Sequence, residues 1–167
     1  RILSLGYRGV VQVRNHWYDT RGPSVTLPIP VISVGNVTVG GTGKTPMVIE
    51  LVSRLQRLGL HPAVVSRGYG SIGARPNDEE RLIRTHSPSV VIVSDPNRAR
   101  GAQKACSHHG ADVIVLDDGF QHRRLHRVLD IVLIDATCPF GYGFLLPRGL
   151  LREPIASLRR AQLVVVT

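Results

Sequence analysis

Acidic residues are scarce in this chain. Twelve Asp and Glu stand against 21 Lys and Arg in 167 residues, which leaves a net charge of +9 and a pI near 10.7. Such a surface favours polyanions: nucleic acid, anionic lipid headgroups or phosphorylated substrates. Cysteine is nearly absent. Cys106 and Cys138 lie far apart and form no C-x-x-C, which points to reduced thiols and excludes a disulfide framework or a cysteine zinc site. Aromatic residues amount to 5%, with none interleaved in the cluster from Arg123 to Arg127, which argues against a base-stacking surface. No apolar run reaches the length that spans a bilayer. The first residues show no continuous apolar core followed by a small-residue cleavage site. Internal repeats and low-complexity segments are also missing. The length suits one domain with a real core and is tight for two.

What is present begins with one stretch, Val31-Ile32-Ser33-Val34-Gly35-Asn36-Val37-Thr38-Val39-Gly40-Gly41-Thr42-Gly43-Lys44-Thr45-Pro46. An apolar run ends in a glycine-rich turn, and an apolar-periodic segment follows without glycine until Gly59. Strand, loop and helix come in the order a phosphate cradle requires. Gly40, Gly41, Thr42 and Gly43 would let backbone N–H groups turn onto phosphate oxygens, helped by the positive end of the helix dipole. Lys44 would reach the β- and γ-phosphates and the Thr45 hydroxyl would ligate Mg²⁺. Thr38 stands where the usual G-x-x-x-x-G-K-[ST] pattern has its first glycine. Pro46 falls in the first helical turn, where its missing N–H costs little.

The remaining periodicity predicts strands at about Ile29–Gly35, Pro62–Ser66, Ser89–Ser94, Ala111–Asp118, Ile131–Asp135 and Gln162–Thr167. Helices are expected after Lys44, from Asp78, over Arg98–His109 and, as a short turn, after residue 154. Apolar strands alternating with helices imply an α/β fold with a mostly parallel sheet covered on both faces. On a helical wheel of residues 1–18, Arg1, Ser4, Arg8, Gln12, Asn15 and His16 gather on one arc. Ile2, Leu3, Tyr7, Val10, Val11, Val13, Trp17 and Tyr18 fill the other, with Arg14 intruding. Such a basic amphipathic helix either lies in a membrane interface or packs on the domain's own sheet. The chain opens on Arg1 and stops inside an apolar run, so we expect sequence beyond both ends.

Ligands of open α/β sheets bind at the carboxyl ends of the strands. Asp117 and Asp118 close the fourth strand there, as a Walker-B acid does, and would hold Mg²⁺ directly or through water. Alternation does not fix which of the two faces the metal. His122 and His126 have the i, i+4 spacing of a metal pair, but no third ligand is evident and the neighbours are cationic. The arginines beside them could grip phosphate or form a solvated face. Asp78, Glu79 and Glu80 read as helix caps and dipole partners, or Asp78 as the acceptor of a hydroxyl proton in phosphoryl transfer.

These motifs resemble the tetraacyldisaccharide 4'-kinases of lipid A biosynthesis. The resemblance rests on the phosphate loop, whose Thr38 is that family's own departure, and on Ser66-Arg67-Gly68-Tyr69-Gly70. It rests further on Asp117-Asp118-Gly119-Phe120-Gln121-His122 and on Leu146-Pro147-Arg148-Gly149-Leu150-Leu151-Arg152-Glu153-Pro154. It implies a three-layer P-loop NTPase-like kinase domain over residues 23–167, preceded by an interfacial helix in residues 1–22. The implied reaction uses ATP and Mg²⁺ to phosphorylate the 4'-hydroxyl of an acylated disaccharide phosphate lipid. The implied setting is peripheral, on the cytoplasmic face of the bacterial inner membrane, with no nucleic acid partner. Lys44 would offset charge on the transferring group, Thr45 and Asp117 would hold the metal, and Asp118 would support the metal or the attacking hydroxyl. Asp78 matches the acid of a Gly-Asp-Glu motif, with Asn77 in place of its glycine, and would take the proton. Arg98 resembles a basic residue near the active site. Arg152 and Glu153 match an Arg-Glu pair facing the nucleotide. Tyr142, Arg148 and Leu150 depart from the family pattern. Members are longer, with a smaller C-terminal domain, so a nucleotide-binding module without kinase activity is the alternative reading.

Overall fold

The computed structural model describes residues 2–68 and 77–167. Its centre is one six-stranded sheet built from β1 (Val31–Asn36), β2 (Pro62–Ser66), β3 (Val91–Ser94), β4 (Val113–Asp117), β5 (Leu129–Ile134) and β6 (Leu163–Val166), in the order β3-β2-β4-β1-β5-β6. Every neighbouring pair is parallel. The first three connections cross over through helices, α2 (Lys44–Arg57), α3 (Asp78–His86) and α4 (Arg98–His109), whereas β4 reaches β5 through turns and β5 reaches β6 through an irregular segment with two short 3-10 turns. The expected fold class holds, and the sheet is wholly rather than mostly parallel.

Period-two alternation sorts the strands onto two cores. Val113 and Val115 of β4 pack with Val34, Val64 and the α2 residues Val48, Val52 and Leu55. Ile114 and Leu116 face the other way, against Ala63, Val65 and the α4 residues Ala102 and Ala105. Small residues bring α4 close to the sheet: a Cβ at Gly101 would lie 2.9 Å from Val65 Cγ1 and 3.0 Å from Asp95 Cβ. A third cluster joins Val37, Phe120, Val132, Ile134, Leu145 and Leu151, with Tyr7 packed against it. At its centre, a Cβ on Gly35 would come within 2.7 Å of Phe120 Cβ, so β1 and the turn after β4 touch backbone to side chain.

The N-terminal helix α1 (Ile2–Arg21) meets the rest of the chain through a face of mixed polarity. The helix packs Tyr7 against the third cluster, which includes Val132 and Ile134 of β5. Its seat is the irregular segment around Leu145–Ser157, and it turns Tyr7, Val11, Arg14 and Asn15 inward while Leu5, Val10 and Val13 stay 66%, 70% and 71% exposed. The apolar arc is thus split, and members of the polar arc make the contacts. Ser4 Oγ donates to the Leu145 carbonyl at 3.3 Å, and Asn15 to Ser157 Oγ at 3.5 Å. A helical wheel cannot anticipate this, because the partners come from residues more than a hundred positions away. Among the described residues no helix is long and apolar enough to cross a membrane.

Candidate active site

The sequence between β1 and α2 folds as a loop over the N-terminus of α2. Gly40 and Gly43 take positive φ, +121° and +75°, which non-glycine residues rarely adopt. A Cβ added at Gly40 or Gly41 would meet nothing within 4 Å, so the loop presents bare backbone to open space. Its shape is fixed from behind. Buried Asn36 donates through Nδ2 to Thr42 Oγ1 at 2.9 Å, and Val39 N–H donates to the Leu150 carbonyl at 2.8 Å. Thr45 lies in the first turn of α2 beside Lys44. The Lys44 ammonium reaches back over the loop, 3.5 Å from the Gly40 carbonyl and 3.9 Å from Asp118 Oδ1.

The loop opens on a cleft of about 1240 Å³ at the carboxyl ends of the strands. Gly40, Lys44, Asp117, Asp118, Arg98, His122, Arg152 and Glu79 line it, and Tyr7, Arg14 and Tyr18 of α1 form one wall. Asp117 is 4% exposed at the end of β4. Burial, with Glu79 and Asp118 nearby, pushes its carboxyl up to about 6 against the pull of Lys44 and Arg98. Asp118 has a left-handed backbone, φ +53°, and pairs with Arg152. Burial and the Arg98 charge push the His122 imidazole down to about 4, so it is neutral near pH 7. Arg98 is buried, donating to the Asp95 carbonyl at 3.1 Å and the Asp117 carbonyl at 3.4 Å. Burial holds its guanidinium below the usual range, yet it stays a cation.

The structure therefore brings Gly40, Lys44, Asp117, Asp118 and Arg152 to one cleft. Asp78 opens α3 as an exposed residue, and it is its neighbour Glu79 that lines the cleft. Glu153, expected from its motif to face the nucleotide, instead turns inward: it is fully buried and paired with Arg14 and Arg160. Tyr69 and Gly70 of the Ser66–Gly70 motif lie outside the described residues. The segment from Gln121 to Arg127 is a series of turns, so the i, i+4 relation of His122 and His126 does not place them on one helix face. Among the described residues no group of three His, Cys, Asp or Glu side chains could hold a metal ion. Sequence reasoning missed Glu79 and the α1 wall. Glu79 sits in an acidic triplet with no periodic cue, and the wall depends on a long-range docking.

The residues fit a nucleotide with Mg²⁺. The bare loop backbone matches phosphate oxygens. The carboxylate of Asp117, the Thr45 hydroxyl and phosphate oxygens would supply an oxygen-only donor set of the kind Mg²⁺ takes.

Parallel strands in this order, a glycine loop at the N-terminus of α2 and acids closing the adjacent strand define a P-loop nucleotide-binding fold. A solved signal recognition particle receptor, FtsY from Elizabethkingia anophelis, shares the fold at 17% identity and a TM-score of 0.54. The chain itself belongs to the family described as Tetraacyldisaccharide-1-P 4'-kinase, which it matches over residues 1–167. It is 49% identical to a tetraacyldisaccharide 4'-kinase of Syntrophus aciditrophicus, covering 99% of this chain and 50% of that protein. A tetraacyldisaccharide 4'-kinase of Pseudomonas putida is 44% identical, with 99% and 54% covered. The crystal structure of LpxK from Aquifex aeolicus, an "apo" form in complex with ATP, matches at a TM-score of 0.88 and 37% identity, covering 99% of this chain and 56% of that one. The chain thus spans about half the length of the curated relatives it matches.

Proposed function

We propose that this chain is the nucleotide-binding part of an ATP- and Mg²⁺-dependent kinase of lipid A biosynthesis. Its reaction transfers the γ-phosphate to the 4'-hydroxyl of a tetraacyldisaccharide 1-phosphate. The observation that carries this reading is the bare backbone of Gly40 and Gly41, with Lys44 reaching over the loop and Asp117 and Asp118 lining the same cleft, in a member of that family. In it, the backbone of Gly40–Gly43 binds the phosphates and Lys44 offsets their charge. Thr45 and Asp117 hold the metal, which when bound neutralises charge on the phosphate oxygens. Arg152 orients Asp118, and Asp118 supports the metal or the attacking hydroxyl. Asp78 accepts the hydroxyl proton. Glu79 is a second candidate for that role, because it is the acid of the α3 first turn that lines the cleft.

The substrate class also fits the outer surface. An acylated disaccharide keeps its chains in a bilayer, and α1 offers Leu5, Val10, Val13 and Trp17 to the outside. We place residues 1–22 as a peripheral, interfacial element on the cytoplasmic face of the inner membrane and residues 23–167 as the kinase domain. Phosphate transfer from labelled ATP with Mg²⁺ to the 1-phosphorylated tetraacyl disaccharide in detergent, beside Lys44→Ala, tests the reading. Transfer that disappears in the variant supports it. Nucleotide binding without transfer favours a module that needs a further segment for chemistry, and neither binding nor transfer would overturn it.

A further inference from the structure

We propose that Glu153 is a positioning residue: it seats α1 as a wall of the cleft and, through its neighbour Arg152, ties that seat to the carboxylate of Asp118. The proposal rests on the cleft being the nucleotide site. It begins from an electrostatic cost. Glu153 is 0% exposed, and a buried carboxylate is tolerated only when paired and hydrogen-bonded. Both its oxygens are engaged, Oε1 by Arg14 of α1 and Oε2 by Arg160 at 2.6 Å. Arg160 is held in turn over the Phe120 ring, 4.5 Å from its centroid.

The preceding residue points the other way, into the cleft. Arg152 reaches Asp118 in the cleft, while its carbonyl accepts the Tyr7 hydroxyl at 2.9 Å and its N–H donates to the Val37 carbonyl at 2.8 Å. Two consecutive residues therefore connect the phosphate loop, the acid pair and α1. Among the described side chains of α1, Val11 alone is buried. Polar contacts hold the helix more than apolar packing does, so its seat depends on them. Any ligand that draws on Arg152 or Asp118 then shifts α1, and by linkage the seat of α1 shifts the affinity for that ligand.

Trp17, the chain's one tryptophan, lies on α1 and reports this directly. The experiment titrates ATP with Mg²⁺ while reading Trp17 anisotropy, with displacement of a fluorescent ATP analogue as an independent measure of binding. The native protein should give a saturable Trp17 change that tracks displacement. Arg14→Gln leaves the Glu153–Arg160 pair and the Arg123 contacts to Asn15 and Asp19 in place but should uncouple α1 from Glu153: somewhat lower anisotropy without nucleotide, no nucleotide-dependent change, and affinity weaker by about fivefold. Arg14→Lys keeps a cation for Glu153 and should restore most of both signals. Tyr7→Phe, which removes only the hydroxyl on the Arg152 carbonyl, should weaken the Trp17 response. A merely structural salt bridge would lower the melting temperature of Arg14→Gln and leave the nucleotide-dependent Trp17 change intact. That result would overturn the proposal, as would displacement in the native protein with a silent Trp17. Absence of displacement in the native protein would overturn the nucleotide reading itself, and the linkage with it.

Discussion

One guanidinium nitrogen of Arg152 serves both carboxylate oxygens of Asp118, at 3.0 and 2.8 Å, and this separates the roles of two adjacent acids. Asp118 has its cation supplied by the protein, with Lys44 a further 3.9 Å away. Asp117 is buried beside it with no ion pair to a described side chain beyond the longer-range pull of Lys44 and Arg98, and its carboxyl is pushed up to about 6. A dication is the natural complement of the second acid. This favours Asp117 as the direct ligand in the proposed metal role, with Asp118 in support, a choice strand alternation could not make.

Asp117 accordingly sets a pH dependence. Below about 6 its carboxyl is protonated, so Mg²⁺-dependent nucleotide affinity should rise between pH 5 and 7 and level off above. The fold should respond with the opposite sign. A carboxyl raised from 3.8 to about 6 binds its proton more tightly when folded, so its contribution to stability falls as pH rises through that window. Asp117→Asn should therefore make the nucleotide-free protein more stable at neutral pH, by up to about 3 kcal/mol, while removing the Mg²⁺ dependence. Thermal melts and nucleotide titrations across the pH range check both signs.

Asp95 behaves in the reverse way. Hydrogen bonds from Arg100, at 2.7 and 2.8 Å, hold its carboxyl down at about 2. Its stabilisation is complete above pH 3.8 and is lost as pH falls toward 2. Asp95→Asn should cost about 1 kcal/mol at pH 7, since Arg100 is largely exposed, and progressively less in acid. Denaturant melts at several pH values read this difference.

Much of this architecture is legible in the residues, and the parts that are not have physical reasons. The strand Pro62–Ser66 and the helix Arg98–His109 end where proline, glycine and asparagine end them. The loop from Gly40 to Thr45 announces itself because Gly40 and Gly43 take left-handed backbone that other residues rarely adopt. The inward turn of Glu153 is invisible, because its partner Arg14 comes from far along the chain and the motif does not say which of its two residues faces the ligand. The docked face of α1 is equally hidden: Arg14 looks like an intruder in an apolar arc until Glu153 is placed beneath it.

The junction of β1 with the turn after β4 offers a test of packing apart from chemistry. Gly35→Ala puts a methyl 2.7 Å from Phe120 Cβ and 2.8 Å from the Phe120 nitrogen. Backbone must shift to admit it, at a cost of about 1–3 kcal/mol. The melting temperature should fall, and the variant should show no Mg²⁺ rescue beyond that of the native protein.

The exposed stripe of α1 makes a prediction of its own. Val10 and Val13 are among the most exposed apolar side chains and make no core contact. Val10→Asp with Val13→Asp should leave the melt within about 0.5 kcal/mol of native. Cosedimentation with vesicles containing anionic lipid should fall by about tenfold. Unchanged vesicle binding would separate α1 from the membrane.

The measurement that reaches the central claim most directly is calorimetric titration of ATP with Mg²⁺ into the native protein and into Lys44→Ala. Binding at one site per chain, weakened by about tenfold or more in the variant, is the expected result, because the proposed role of Lys44 is a charge-assisted contact to the phosphates. Nucleotide binding unchanged by Lys44→Ala, or no binding to the native protein, would contradict the assignment of Gly40–Thr45 as a phosphate cradle.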